Sequence, residues 1–195
     1  MELCETLAFC SMERTEAILI DRIPYRETSL IVQWCAPGIG IFRTMAKGAM
    51  RPKSPFVGRL DLFVSADVRF VRARSSDLHT LTEVHWTDSR FGLRESYSRL
   101  LAATYFVKLV TQVVEQETSI PKAHELLSKA LDYLSAKEPT MALVHRFEMR
   151  LAEELGIAGI GDISQAIEDA FHRPLPTQRS QLLRRISEAD KGSPP

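Results

Sequence analysis

The hydrophobic pattern of this chain changes period once, and that switch constrains the fold more than any other feature. From Arg14 to about Trp86 the pattern is strand-like, with short β-branched and aromatic runs separated by turn residues. "TEAILID", "TSLIVQWCA" and "IFRTMAK" predict three strands, the second closed by the turn cluster Pro37-Gly38-Ile39-Gly40. "RLDLFVSADVRFVRA" places Leu60, Leu62, Val64, Ala66, Val68 and Phe70 on one face of a long half-buried strand, and "LHTLTEVHW" alternates again. Five short strands in about seventy residues predict a small β-barrel.

From Ser89 the period becomes helical. Leu93, Tyr97, Leu100, Leu101, Tyr105, Leu109 and Val113 fall on one stripe at three-four spacing. A second helix is expected from Pro121, with Ser119 as its N-cap and Leu126, Leu127, Ala130, Leu131 and Leu134 buried. A third starts near Pro139, carries Leu143, Phe147, Leu151 and Leu155, and stops at Gly156. "DISQAIEDAF" and "TQRSQLLRRISEA" predict two shorter helices. The chain therefore reads as α+β. Residues 1–13 are an N-terminal extension, with Met12 a more typical opening than Met1. Residues 14–88 form the strand domain and 89–190 an all-α helical domain, and 191–195 are a disordered tail.

Charge is balanced overall, with 25 acids and 25 lysines and arginines in 195 residues, so any anion-binding must come from local segregation. The segregation is plain. No acid occurs between Glu27 and Asp61, a gap with a chance of about one in a hundred if charges were scattered at random. Within it lie Arg43, Lys47, Arg51, Lys53 and Arg59, most of them in the loop "MAKGAMRPKSPFVGRL". Cations that reach outward without neighbouring carboxylates are what phosphate recognition needs. Gly48 allows close approach of the backbone, and Pro52 and Pro55 stiffen the loop. Tyr25, Phe42 and Phe56 flank it as candidates for stacking on bases.

Other chemistry has little support. The apolar runs are far short of the ~20 residues that span a bilayer, and Glu2 and Glu5 stand where a signal peptide has cations, so a cytoplasmic protein is expected. Cys4, Cys10 and Cys35 contain no C-x-x-C pair and suit neither a disulfide framework nor a zinc module. On a strand His79, Glu83 and His85 would share a face, but Leu81 lies between them and no fourth ligand is evident. His145 with Glu148, and His124, have no partnered nucleophile, and no phosphate-loop, dinucleotide, serine-hydrolase or zinc-protease motif is present. Neither an enzyme nor a cofactor is expected.

The landmarks "AILI", "YRETSLIV", "AKGAMRPKS", "LDLF", "LHTLTE", "AATYFVKL", "HELLSKAL" and "RFEMRLAEELG", in that order from Ala17 to Gly156, resemble the RecO family of bacterial recombination mediators. The resemblance implies an N-terminal OB-fold followed by a helical domain. It also implies binding of single- and double-stranded DNA, annealing of complementary strands, and help in loading RecA. RecR and the C-terminal tail of single-stranded-DNA-binding protein are the implied partners. Matched to the family's basic loop, Lys47 and Arg51 are the implied DNA-binding residues, with Arg43, Lys53 and Arg59 added by the local charge argument. Many members carry four zinc-binding cysteines after the "RFEMRLAEELG" position; this chain has none there. Arg146 and Arg150, four apart on the third helix, are expected with Lys108 and Arg99 to rim an apolar groove for an acidic tail. The rival reading is a non-catalytic interaction module with a scaffold barrel and a peptide-docking helical domain.

Overall fold

The computed structural model describes residues 11–157 and 161–192. They divide into two compact units. One holds the described residues through Trp34 together with Phe42–Thr87; the other holds Cys35–Ile41 and the residues from Asp88 onward.

The first unit is built on five strands: β1 (Met12–Tyr25), β2 (Ser29–Ala36), β3 (Gly40–Ala46), β4 (Ser65–Val71) and β5 (Leu78–Asp88). They close in the order β1-β2-β3-β5-β4, with β3 parallel to β5 and β1 antiparallel to β4. Closure removes the free edges, and this strand order is that of an OB-type barrel. Its interior is filled by Ile18, Trp34, Phe42, Val68 and Phe70, all essentially inaccessible. Polar groups brought inside find partners there: the Trp34 indole N–H donates to Thr44 Oγ1 at 2.8 Å, and His79 Nδ1 accepts from the Ala73 amide at 3.3 Å.

Two strand boundaries differ from the sequence reading. β1 starts at Met12, so residues 12 and 13 belong to the barrel and not to an extension; Glu13 pairs with Phe70 in the ladder. Residues 1–10 of that extension lie outside the described residues. The long strand expected from Arg59 is ordered as β4 only from Ser65. Phe63 adopts a left-handed φ of 68°, and its amide donates to Leu19 O at 2.8 Å, which bends the chain before the strand begins. Alternation cannot reveal such a bend, because Leu60, Phe63 and Val64 are buried on both sides of it.

The second unit contains a short 3-10 turn (Phe91–Glu95) and five helices: α1 (Tyr97–Val113), α2 (Pro121–Ala136), α3 (Met141–Glu154), α4 (Ile163–Phe171) and α5 (Gln178–Gly192). Ser96, Thr140 and Asp162 cap α1, α3 and α4 by accepting from backbone amides two or three residues on. α2 opens on Pro121, but Ile120 is its cap. Ser119 instead donates its hydroxyl to Pro37 O at 3.2 Å, tying the β2–β3 turn to this unit. Gly40, with φ +85°, is required there, since a β-carbon would lie 2.0 Å from Thr118 O. After α3, Gly156 takes φ +69°, and the amides of Gly156 and Ile157 bond back to Glu153 O and Ala152 O, a Schellman stop.

α1 is not the one-faced helix that its stripe predicted. Ala102, Ala103, Phe106, Val107 and Val110 are buried as well as the stripe residues Leu101, Tyr105 and Leu109, whereas Tyr97 is exposed. A helix apolar around most of its circumference packs at the centre of its unit. The helical stretch also runs through Lys191 and Gly192, so the expected disordered tail does not begin at 191; residues 193–195 lie outside the described residues.

Candidate nucleic-acid interface

The basic loop leaves β3 at Ala46 and descends through consecutive turns closed by Arg51 N–H to Gly48 O, Ser54 N–H to Arg51 O and Arg59 N–H to Phe56 O. Ala49, Phe56 and Leu60 are buried and anchor it, which leaves Lys47, Arg51, Lys53 and Arg59 exposed between the anchors. The loop is also tied to the β1–β2 turn. The Gly48 amide donates to Ser29 Oγ at 3.3 Å and the Met50 amide to Thr28 O at 2.9 Å. Gly48 holds φ +66° with the Arg51 side chain lying across it.

These two tied segments enclose an open depression of about 410 Å³. One wall is Tyr25, Arg26, Thr28 and Ser29; the other is Met45, Lys47, Gly48 and Arg51. No carboxylate lines it, and Arg26, Lys47, Arg51 and Lys53 form no ion pair among the described residues. The Arg26 guanidinium lies over the Tyr25 ring, 5.3 Å from its centroid. Three clustered cations with no lining carboxylate concentrate positive charge locally on a chain of zero net charge.

The sequence-predicted cations separate into two groups. Lys47 and Arg51 line the depression, and Lys53 is exposed on the same loop. Arg43 is engaged elsewhere: its guanidinium pairs with Asp77, and the Arg43 hydrogen bond holds that carboxyl below the usual aspartate range. Arg59 donates to Val84 O at 3.2 Å and does not line the depression. Arg26 was missed by the sequence reading because it precedes Glu27 and so falls just outside the acid-free window. Of the three aromatic candidates, Phe42 and Phe56 are buried in the unit's core, at 2% and 6% exposure, and cannot stack on a base. Tyr25 alone stays half-exposed.

In the helical unit, Arg146 and Arg150 do come together, in a second depression of about 480 Å³ between α2 and α3. Lys122, Lys129 and Leu126 share it, with Glu125 and Glu154. Both carboxylates are spoken for, Glu125 by Lys129 and Glu154 by Lys122 at 3.1 Å, while Arg146 forms no ion pair among the described residues. Arg99 and Lys108 do not line this depression. Arg99 is instead held by Glu138 at 2.8 Å, Glu95 at 3.0 Å and Gly92 O at 3.1 Å, and Lys108 is exposed on α1.

The remaining candidates disperse. His79 is buried against Phe70, whereas Glu83 and His85 are exposed; the buried face of β5 changes parity between Leu81 and Val84. His145 is exposed, while Glu148 is fully buried, accepting from Tyr105 Oη at 2.5 Å and Arg179 Nε at 2.7 Å. Burial pushes the Cys35 thiol up to about 12, which leaves it unreactive. Among the described residues no three His, Cys, Asp or Glu side chains converge as a metal site requires, and no helix is long and apolar enough to cross a membrane.

A closed barrel of order β1-β2-β3-β5-β4 carrying a carboxylate-free cationic depression, followed in the chain by a helical unit, defines an OB-fold protein with a helical partner domain. The family model described as Recombination protein O N terminal matches residues 11–90, and Recombination protein O C terminal matches residues 94–159. Among curated proteins, the DNA repair protein RecO of Salinibacter ruber is 34% identical over 149 residues, 76% of this chain and 57% of the relative. Those of Idiomarina loihiensis and Nitrosospira multiformis are 32% and 30% identical, over 73% and 75% of this chain and 60% and 59% of theirs. The chain belongs to the RecO family. It spans less than two thirds of the length of these relatives.

Proposed function

We propose that the chain is a non-catalytic recombination mediator that binds DNA through the barrel depression and its basic loop. In this role it anneals complementary strands and helps RecA onto single-stranded DNA in recombinational repair. The observation that supports this is the meeting of Arg26, Lys47 and Arg51 around a depression with no lining carboxylate. Annealing is limited by repulsion between two polyanions. Cations that condense on both backbones lower that barrier without bond-making chemistry. The protein acts in the cytoplasm, at the nucleoid, on single and double strands.

A gel-shift titration with single-stranded DNA at two salt concentrations tests this reading. For single strands the log-log salt slope is about −0.7 per neutralised phosphate, so changing Lys47, Arg51 and Lys53 to Glu should flatten it by about 2 while the fold persists. An unchanged slope in the folded triple variant removes the loop from the DNA site.

The α2–α3 depression supports the partner half of the proposal. Among the described residues Leu126 is the one apolar residue lining it, and Arg146 with Arg150, the latter 3.9 Å from Glu153, gives a cationic rim that suits the acidic C-terminal tail of single-stranded-DNA-binding protein. RecR is the further partner in loading. The rival reading, a docking module without DNA, is supported by the zero net charge and the large apolar helical unit. It predicts peptide binding that salt weakens little and no DNA binding at all.

A further inference from the structure

The lining of the barrel depression is mixed in a way that phosphate recognition alone does not require. A site for backbone phosphates needs cations and hydroxyls, and Arg26, Lys47, Arg51 and Ser29 supply them. The same walls also present the Tyr25 ring and the Met45 side chain, both half-buried and both facing the cavity. We propose that the depression takes one unpaired nucleotide, its phosphate on the rim cations and its base against Tyr25 and Met45. This deepens the DNA-binding reading of the site and rests on it.

Size, stacking chemistry and rigidity agree. About 410 Å³ lies at the small end of the 300–1,000 Å³ typical of pockets for small molecules, enough for a single nucleotide but closed to a duplex. The Arg26 guanidinium over the Tyr25 ring already forms a cation–aromatic stack, and a base extends such a stack on either plane without needing a particular sequence. The hydrogen bonds from Gly48 to Ser29 and from Met50 to Thr28 fix the two walls before any strand arrives, so little order must be gained on binding.

The consequence is a built-in preference. In a duplex every base is paired and stacked, so only the rim is usable and only phosphates are held. When a bound strand finds its complement, the inserted base must leave the pocket, and the product is held less tightly than the substrate. A mediator with this pocket releases the duplex it makes.

Fluorescence anisotropy on the full chain decides the matter. The probes are a mixed-sequence single strand, the same backbone made wholly of abasic sites, and the duplex. Stacking on one aromatic ring is worth about 1–3 kcal/mol per base, so Tyr25→Ala should weaken the single strand by about tenfold, and Tyr25→Phe by less than about twofold. The abasic strand and the duplex should bind the wild type and Tyr25→Ala within about twofold of each other. Equal losses on all three probes would overturn the proposal, because Tyr25 would then act only by holding Arg26 toward phosphates. Salt-sensitive binding that Tyr25→Ala leaves untouched overturns the pocket but not the DNA reading. Absence of binding to any probe by the wild type overturns both.

Discussion

In the helical unit Arg99 donates to Glu138, Glu95 and two backbone carbonyls, whereas in the barrel unit Arg51 reaches no described carboxylate. The same contrast holds more widely. Arg90 is almost fully buried against Asp132 and Ser128, and Arg179 neutralises the buried Glu148. Arg26, Lys47 and Lys53 are exposed at the surface and form no ion pair among the described residues. An arginine becomes part of the fold when an acid from a distant part of the chain is folded onto it. It remains available when the surrounding elements bring none.

The largest expected effect breaks the fold side of this contrast. Arg179→Ala leaves the Glu148 carboxylate fully buried with only the Tyr105 hydroxyl on it. Burial, with the Glu148 charge, pushes the Tyr105 phenol well above its ordinary range, so it stays a neutral donor and supplies no positive charge to the carboxylate. Breaking a buried pair costs about 3–5 kcal/mol; the low end applies because the Arg179 side chain is 28% exposed. A melting temperature lower by about 6–12 °C should follow, largely recovered by adding Glu148→Gln. Arg51→Ala should shift the melt by no more than about 2 °C, as exposed substitutions do. Comparable shifts for the two would erase the distinction.

Next in size is the binding side. Lys47→Glu with Arg51→Glu should weaken single-strand binding at 0.1 M salt by about two orders of magnitude, while Arg146→Glu with Arg150→Glu changes it by less than about threefold. For an acidic tail peptide ending in apolar residues, titrated into the full chain, the ranking should invert. There the α3 pair should cost about tenfold and the loop pair less than about twofold. Identical rankings with both ligands would mean that the two depressions differ only in name.

How much of this was legible beforehand follows from where each partner comes from. The barrel and the helices were readable because β-branched alternation and three-four spacing are local patterns. The loop's cations were readable because their acid-free surroundings extend over the chain on both sides, and Lys47, Arg51 and Lys53 kept that isolation in space. Arg43 lost it to Asp77, thirty-four residues on, and Arg99, already beside Glu95 in sequence, is held as well by Glu138, thirty-nine residues on. No window of sequence contains both members of such pairs. Arg26 shows the converse, since an acid next in sequence, Glu27, masked a cation that the β1–β2 turn carries into the depression. Phe42 and Phe56 fail as stacking residues for a similar reason: flanking the loop in sequence says nothing about which face of the barrel a ring occupies.

The smallest expected effect lies on the border of the comparison, at Arg43, which is a loop-side cation captured by an acid. The pair is exposed, so its hold is weak and screened by salt. Asp77→Asn should release Arg43 toward the DNA side and raise single-strand affinity by about twofold at low salt, with no change at high salt. The pH dependence has a definite sign. The Arg43 hydrogen bond lowers the folded-state pKa of Asp77 below its unfolded value, so the pair's contribution to stability is complete above the ordinary aspartate range and is lost as pH falls through the lowered one. Between pH 5 and 8 the pair is therefore intact, and the wild type and Asp77→Asn should differ in DNA affinity by a constant factor across that window. A difference that grew or vanished between pH 5 and 8 would mean that another group, and not Asp77, sets how much of Arg43 the DNA can use.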